Sequence, residues 1–315
     1  MGRIVLITGA SGFIGTNIVR ACIQRGDVVH VILRGKLEHY WRLKDLCEKI
    51  TTHIADITDA NAVKSIVHSV QPQQIFHLCH YGGNRGQDDQ SLVRKVIIDG
   101  SVALFDACIG VTSVESIINA GSSSEYGTKK IAMHEDMKLE PSSDYGLAKA
   151  WVSLYGQHLA REKSIPITTL RLFSVYGPYE APPRLIPNVI LAFLRSTDLQ
   201  LSNSDTTRDF VYIDDVVRAM LFFAEKKQHG DIFNIGTGRE TTLKEMVQLL
   251  QKECGSLGHL VWGGMRGRTN DGIKWQADVN YTADVGGWSP NFSLEEGARL
   301  SVDWFRKNLN LYESF

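Results

Sequence analysis

The residues of this chain best suited to chemistry are Tyr145 and Lys149, in the run Tyr145-Gly-Leu-Ala-Lys149, and the upstream serines Ser122, Ser123 and Ser124. On a helix, positions four apart lie on one face, so the Lys149 ammonium can stand beside the Tyr145 phenol. A free phenol titrates near ~10 and is a poor acid or base at neutral pH. A neighbouring cation favours the phenolate and lowers that value, which suits the tyrosine to proton transfer. A serine hydroxyl held nearby can hydrogen-bond the oxygen that gains or loses the proton. Y-x-x-x-K is also common on ordinary helix surfaces, so the weight of the pair rests on the elements that must position it.

Those elements alternate. Apolar runs predict strands over Arg3–Thr8, Val28–Leu33, Lys49–Ile54, Gln74–Leu78, Ser116–Ala120 and Ile167–Leu172. Between them, helical periodicity covers Phe13–Arg25, Asn61–Val70, Ser91–Cys108 and Ser143–Glu162. Apolar strands alternating with helices predict an α/β chain with a doubly wound parallel sheet of the Rossmann kind. Beyond Tyr176 the pattern loosens into a loop-rich stretch punctuated by Pro178, Pro182, Pro183 and Pro187. A strand over Asp209–Ile213, a helix over Asp214–Lys226 and a strand over Ile232–Ile235 follow. Thr241 and Thr242 with Glu245 read as a capping box opening a helix to Glu253, and a last helix covers Ser293–Asn308. The expected organisation is a dinucleotide-binding domain over 1–175 and 207–238, partly interleaved with a smaller substrate lobe over 176–206 and 239–315.

The first strand ends in Thr8-Gly9-Ala10-Ser11-Gly12-Phe13-Ile14-Gly15 and runs into the first helix. Glycines let backbone turn tightly and approach a pyrophosphate, and the helix N-terminus attracts the anion. The spacing is G-x-x-G-x-x-G, and the bland alternative is a glycine-rich turn without a ligand. NAD sites usually carry an acid at the end of the second strand, whereas NADP sites often place an arginine near the 2′-phosphate. Here that strand ends Leu33-Arg34-Gly35-Lys36 with no acid. Arg34, with Lys36, therefore favours NADP over NAD, unless the two are simply a solvated basic loop. Asp56, followed by Ile57, comes after the third strand and suits either the adenine amino group or the cap of the next helix.

The 315 residues carry 34 Lys and Arg against 35 Asp and Glu, a net charge of −1 without a long basic run. Nothing in that balance calls for nucleic acid or an anionic membrane. The N-terminal residues read directly as a strand, no long apolar run occurs, and the 5 cysteines are scattered without C-x-x-C. A cytoplasmic protein with reduced thiols is expected. His77 and His80 have an H-x-x-H look, but on a strand they face opposite sides, so no metal site is expected.

The motifs TGASGFIG (8–15), ADITD (55–59), GSSSEYG (121–127), YGLAK (145–149), LRLFSVYGPY (170–179), RDFVYIDD (208–215), FNIGTG (233–238) and SLEEGARLSVDWF (293–305) span nearly the whole chain. In this order they resemble the extended short-chain dehydrogenase/reductase family, in its sugar-nucleotide branch. The resemblance implies Tyr145 as acid/base and Lys149 as the residue that lowers its pKa and holds the nicotinamide ribose. It implies Ser123, or Ser122, at the reacting oxygen. The cofactor contacts implied are Gly9, Ser11, Gly12, Phe13, Ile14, Gly15, Arg34, Lys36, Asp56 and Ile57. On the substrate side it points to Ser124, Glu125, Ser174, Arg184, Asn188 and Arg208, with Arg268 or Arg266 as a second diphosphate arginine. Arg208 has the alternative of an ion pair with Asp214 or Asp215. Many relatives carry an asparagine where this chain has Ile97, and their dehydratases pair the glutamate with an aspartate where this chain has Ser124. Glu125 is therefore also open to a structural reading.

The resemblance implies a nucleotide-diphosphate sugar as partner and a homodimer formed through the helices near 91–108 and 145–162. The leading expectation is an NADPH-dependent reductase of a nucleotide-linked 4-keto-6-deoxyhexose, with Tyr145 protonating the C4 oxygen. The alternative is an epimerase, or a dehydratase, that retains its cofactor and works through a transient 4-keto sugar. A non-catalytic NADP-binding sensor is the third class, set against by the retained Tyr145 and Lys149.

Overall fold

Ile4–Thr8 (β1), Gln74–His77 (β4), Ser116–Ser122 (β5) and Ile167–Leu172 (β6) are buried along almost their whole length. Near-continuous burial is the signature of inner strands of a sheet covered on both faces. With Val28–Leu33 (β2), Ile50–Ile54 (β3) and Ile232–Ile235 (β11), they form one seven-stranded sheet in the order β11-β6-β5-β4-β1-β2-β3. The structure is a computed structural model that describes residues 2–83, 86–87, 89–201, 204–226, 229–255, 260–263 and 275–313. From β1 the order runs one way to β2 and β3 and the other way to β4, β5 and β6, so a topological switch lies between β1 and β4. β1 pairs in parallel with both neighbours, which brings Thr8, Ile32 and His77 to the same edge of the sheet.

The helices of this first unit are Phe13–Arg25 (α1), Ala60–Val70 (α2), Gln90–Arg94 (α3), Gly100–Ala107 (α4) and Asp144–Lys163 (α5). The single helix expected over 91–108 is interrupted by a π-helical turn, Lys95–Asp99, between α3 and α4. The expected cap at Asp56 is corrected as well: Asp59 caps α2 by accepting from the Ala62 N–H, and Asp56 accepts instead from Thr58. Leu6, Ile75, Ile117 and Ile167 of the sheet pack with Leu104, Phe105, Ala148 and Val152 of the helices in one core cluster.

The chain divides into a unit of Met1–Gly127, Lys138–Leu172 and Val217–Phe233 and a second of Thr128–Met137, Phe173–Val216 and Asn234–Phe315. Residues 128–137, 173–175, 207–216 and 234–238, expected in the first, fall in the second. Their partners explain the assignment. Glu135 accepts from the Asn234 N–H and the Thr282 hydroxyl, and Phe210–Tyr212 (β10) pairs in parallel with Ser174–Tyr176 (β7). The second unit also holds a helix where loop was expected, Leu185–Leu194 (α6). Pro187 sits in its first turn, where a missing N–H costs little. Leu199–Leu201 (β8), Thr207–Arg208 (β9), Thr241–Thr242 (β12), Leu243–Cys254 (α8), Leu260–Trp262 (β13) and Leu294–Lys307 (α9) complete this unit, and Ile213–Lys226 (α7) runs from it into the first. Thr242 and Glu245 form the expected capping box. No helix among the described residues is long and apolar enough to cross a membrane.

Candidate active site

The glycine loop closes β1 at the topological switch. Gly9 has φ +70°, and a Cβ there would lie 2.6 Å from the Leu78 carbonyl carbon, in the segment leaving β4. A Cβ on Gly15 would lie 2.1 Å from the Gly9 oxygen. Only glycine lets the loop fold onto α1 and onto β4 this closely. Gly12 stands at the N-cap of α1 without a side-chain cap, and the first turn carries no acid. The loop and helix end therefore present backbone N–H groups in the arrangement that receives a phosphate, so these residues fit a dinucleotide. Around it, Ser11, Phe13 and Ile14 are half-buried, and Arg34 and Lys36 are exposed just beyond β2. Asp56 is held below the usual carboxylate range, first by the Thr58 N–H and also by the positive charges of Arg34 and Lys95. Ile57 is buried, packing where a Cβ on Gly100 would come within 2.8 Å.

Ser143 starts α5 by accepting from the Gly146 N–H, so Tyr145 falls in the first turn and Lys149 one turn on. Gly146 between them allows a close approach: a Cβ there would sit 2.5 Å from the Ser124 oxygen. The helix start is thereby docked on the serine turn that follows β5. Tyr145 is half-buried, with the His80 ring edge-on at 6.2 Å. Lys149 is only 3% exposed, and its Nζ donates to the Ala120 oxygen of β5 at 2.8 Å. Burial pulls its ammonium down to about 8, while the Glu125 and Cys79 charges act in the opposite direction. A lysine that remains cationic near neutral pH, one helical turn from the phenol, is the arrangement that favours a tyrosinate.

Ser122 ends β5 and its hydroxyl oxygen accepts from the Ser124 N–H; both Ser122 and Ser123 are buried. Glu125 is fully buried. One carboxylate oxygen accepts from the Ser122 N–H at 2.8 Å, and the other pairs with the Arg171 Nε of β6 at 2.8 Å. Arg171 also donates to the Tyr126 hydroxyl. The signal for this pair was an arginine inside the apolar run of β6.

His77 ends β4 with its ring buried. The Ser101 hydroxyl donates to the Ile97 oxygen, so His77 Nε2–H donates to Ser101 Oγ at 2.8 Å. Its Nδ1 then accepts from the Thr8 hydroxyl at 2.7 Å. Both ring nitrogens are engaged, and burial first, then the Lys149 charge, pushes the imidazole down to about 3.

The expected substrate residues outside the serine turn lie in the second unit. Ser174 donates its N–H to the Asp209 oxygen, next to Arg208. Arg208 donates to the Thr207 oxygen and lies over the Trp275 ring, while Asp215 accepts from the Asn291 and Phe292 N–H groups. Arg184 pairs with the buried Glu180 at 2.6 Å, and Asn188 follows one turn on in α6. Arg266 and Arg268 lie outside the described residues. The reading of RDFVYIDD overlooked Asp209, a buried carboxylate that accepts from Thr237 N–H and hydroxyl, Gly238 N–H and Ala277 N–H.

The sequence model of the NAD dependent epimerase/dehydratase family matches residues 5–236. A curated relative, the UDP-glucuronate 4-epimerase of Thermodesulfobacterium geofontis, is 27% identical over an alignment of 326 positions that covers 98% of each chain. The crystal structure of UDP-glucose 4-epimerase from Thermotoga maritima, with UDP-glucose, matches with a TM-score of 0.88 at 31% identity, over 97% of this chain and 99% of that one. MoeE5, in complex with UDP-glucose and NAD, matches with a TM-score of 0.83 at 27% identity, over 97% and 99%.

Proposed function

We propose that this chain, which belongs to the NAD dependent epimerase/dehydratase family of extended short-chain dehydrogenases/reductases, interconverts the C4 configurations of a nucleotide-diphosphate sugar through a transient 4-keto sugar. The carrying observation is that α5 docks Tyr145 and Lys149 on the serine turn while Glu125, the acid of that turn, has both oxygens engaged. That arrangement suits proton transfer at one hydroxyl and withholds the acid pair a 4,6-dehydration uses. The 4-epimerases among the relatives support this alternative over the reductase expected from sequence, and they point to a uridine diphosphate sugar.

When bound, the nicotinamide cofactor supplies hydride exchange with the sugar C4. Lys149 keeps the Tyr145 phenol acidic, and the phenolate takes the proton of the C4 hydroxyl. Tyr145 returns that proton to the oxygen when the ketone is reduced from the other face. Ser122 or Ser123 donates to the same oxygen and holds it against Tyr145. Gly9, Gly12, Gly15 and the start of α1 hold the cofactor pyrophosphate. Arg184 and Arg208 are proposed for the sugar nucleotide diphosphate, with Ser174 and Asn188 beside them. The exchange is redox-neutral overall and needs no external reductant.

Arg34, standing where an NAD site usually has an acid, favours a second reading, the NADPH-dependent 4-keto-sugar reductase. The purified protein, incubated with UDP-hexoses and assayed for C4 epimers by NMR, separates the two. Epimer formation without nicotinamide turnover is expected. Steady NADPH oxidation with a 4-keto sugar nucleotide, and no epimer, would replace it by the second reading.

A further inference from the structure

An arginine in the fully buried β6 is costly unless its charge is matched, and well-packed apolar residues often serve stability as well or better. Arg171 is 2% exposed and Glu125 fully buried, and their contacts run straight into the proton-transfer set. Arg171 Nε donates to one Glu125 oxygen, Arg171 Nη1 donates to the Tyr126 hydroxyl, and the guanidinium lies 4.6 Å from the Tyr126 ring centroid. The other Glu125 oxygen accepts from the Ser122 N–H. Gly121 leaves room for it, since a Cβ there would lie 2.8 Å from that oxygen. Ala120, next along the strand, offers its carbonyl to Lys149. Six consecutive residues, 120 to 125, thus carry the acceptor for the lysine, both candidate serines and a buried carboxylate.

We propose that the buried Glu125–Arg171 pair is a positioning device for the proton-transfer set: Glu125 fixes the serine turn through the Ser122 N–H and supplies the negative charge against which the buried Lys149 ammonium is held. The inference rests on Tyr145 and Lys149 being the proton-transfer pair. Among the described residues, the charged and titratable groups that act on Lys149 include His77 and Cys79, from β4 and the segment after it, and Glu125 from the serine turn, with Arg171 behind Glu125, while Tyr145 lies one turn before it on the same helix. His77 is neutral, and burial pushes the Cys79 thiol up to about 11. At neutral pH Glu125 is therefore the negative charge acting on Lys149, and removing it leaves Lys149 facing a second cation.

Glu125→Gln retains an amide oxygen to accept from the Ser122 N–H, removes the charge, and exchanges the oxygen that accepts from Arg171 Nε for an NH2 donor. Glu125→Asp retains the charge but is too short to span Ser122 and Arg171. Nitrogen-15 lysine NMR titration, with Lys149→Arg assigning the resonance, is read beside the pH profile of epimerisation. In Glu125→Gln the Lys149 titration and the alkaline limb of kcat both move down by roughly one pH unit. In Glu125→Asp the alkaline limb stays in place and kcat falls by about tenfold or more. A folded Glu125→Gln protein with an unmoved Lys149 titration overturns the proposal. Should that variant not fold, the neutral pair Glu125→Gln/Arg171→Met takes its place, with a downward shift of the Lys149 titration smaller than one pH unit because the opposing cation leaves as well, and an unmoved titration again overturns the proposal. The NMR shift speaks about Glu125 alone, whereas turnover retained by Tyr145→Phe would sink the proton-transfer reading beneath it.

Discussion

Acidification should weaken this fold through His77, and the size of the effect follows from its surroundings. The imidazole is neutral, 1% exposed, and fixed between the Thr8 and Ser101 hydroxyls. Its folded-state value is about 3, against 6.5 for the free side chain. A histidine depressed in this way binds its proton in the unfolded chain first, so stability is lost as pH falls from 6.5 towards 3. Between pH 7 and pH 5 the loss from this one group is about 2 kcal/mol, at about 1.4 kcal/mol per unit once the unfolded histidine is charged. His77→Gln removes the titration, while its broken hydrogen bonds cost about 1–3 kcal/mol at pH 7. Urea unfolding of both proteins at the two pH values isolates the linkage. The natural protein should lose about 2 kcal/mol more than the variant on going to pH 5. Equal losses would refute the assignment of His77 as a buried neutral tie between β1, β4 and α4.

Gly15→Val, which drives a side chain into the Gly9 carbonyl, should abolish NAD⁺ and NADP⁺ binding in fluorescence titrations; retained affinity would mean the loop does not cradle the cofactor. Asp209→Ala leaves four donors in the second unit without their acceptor and should cost about 3–5 kcal/mol by urea unfolding. Leu147, Trp151 and Leu154 are large apolar side chains exposed on α5, the helix expected to form a homodimer. Trp151→Glu should shift the protein to a monomer in light scattering, and an unchanged mass would move the association elsewhere.

Much of the first unit was legible because its signals are local. The β2, β6 and β11 runs and α1 coincide with their expected bounds, since apolar runs and glycine punctuation act within each segment. The Tyr145–Lys149 spacing was legible for the same reason. What escaped depends on partners distant in sequence. The tie of His77 to Thr8 spans 69 positions, and that of Arg171 to Glu125 spans 46. The π turn at Lys95–Asp99 leaves no mark in apolar periodicity that separates it from one continuous helix. The prolines around 178–187 suggested loop because Pro187 breaks a helix interior, yet it occupies a first turn. Residues 128–137 join the second unit through Glu135, whose partners lie about a hundred positions and more downstream.

The most direct test of the central claim is Tyr145→Phe, which removes one hydroxyl and keeps the ring. Epimer formation from UDP-hexoses should fall by at least about a hundredfold, as loss of a proton-transfer group does, while the cofactor binds with unchanged affinity. Turnover near that of the natural protein would contradict the account.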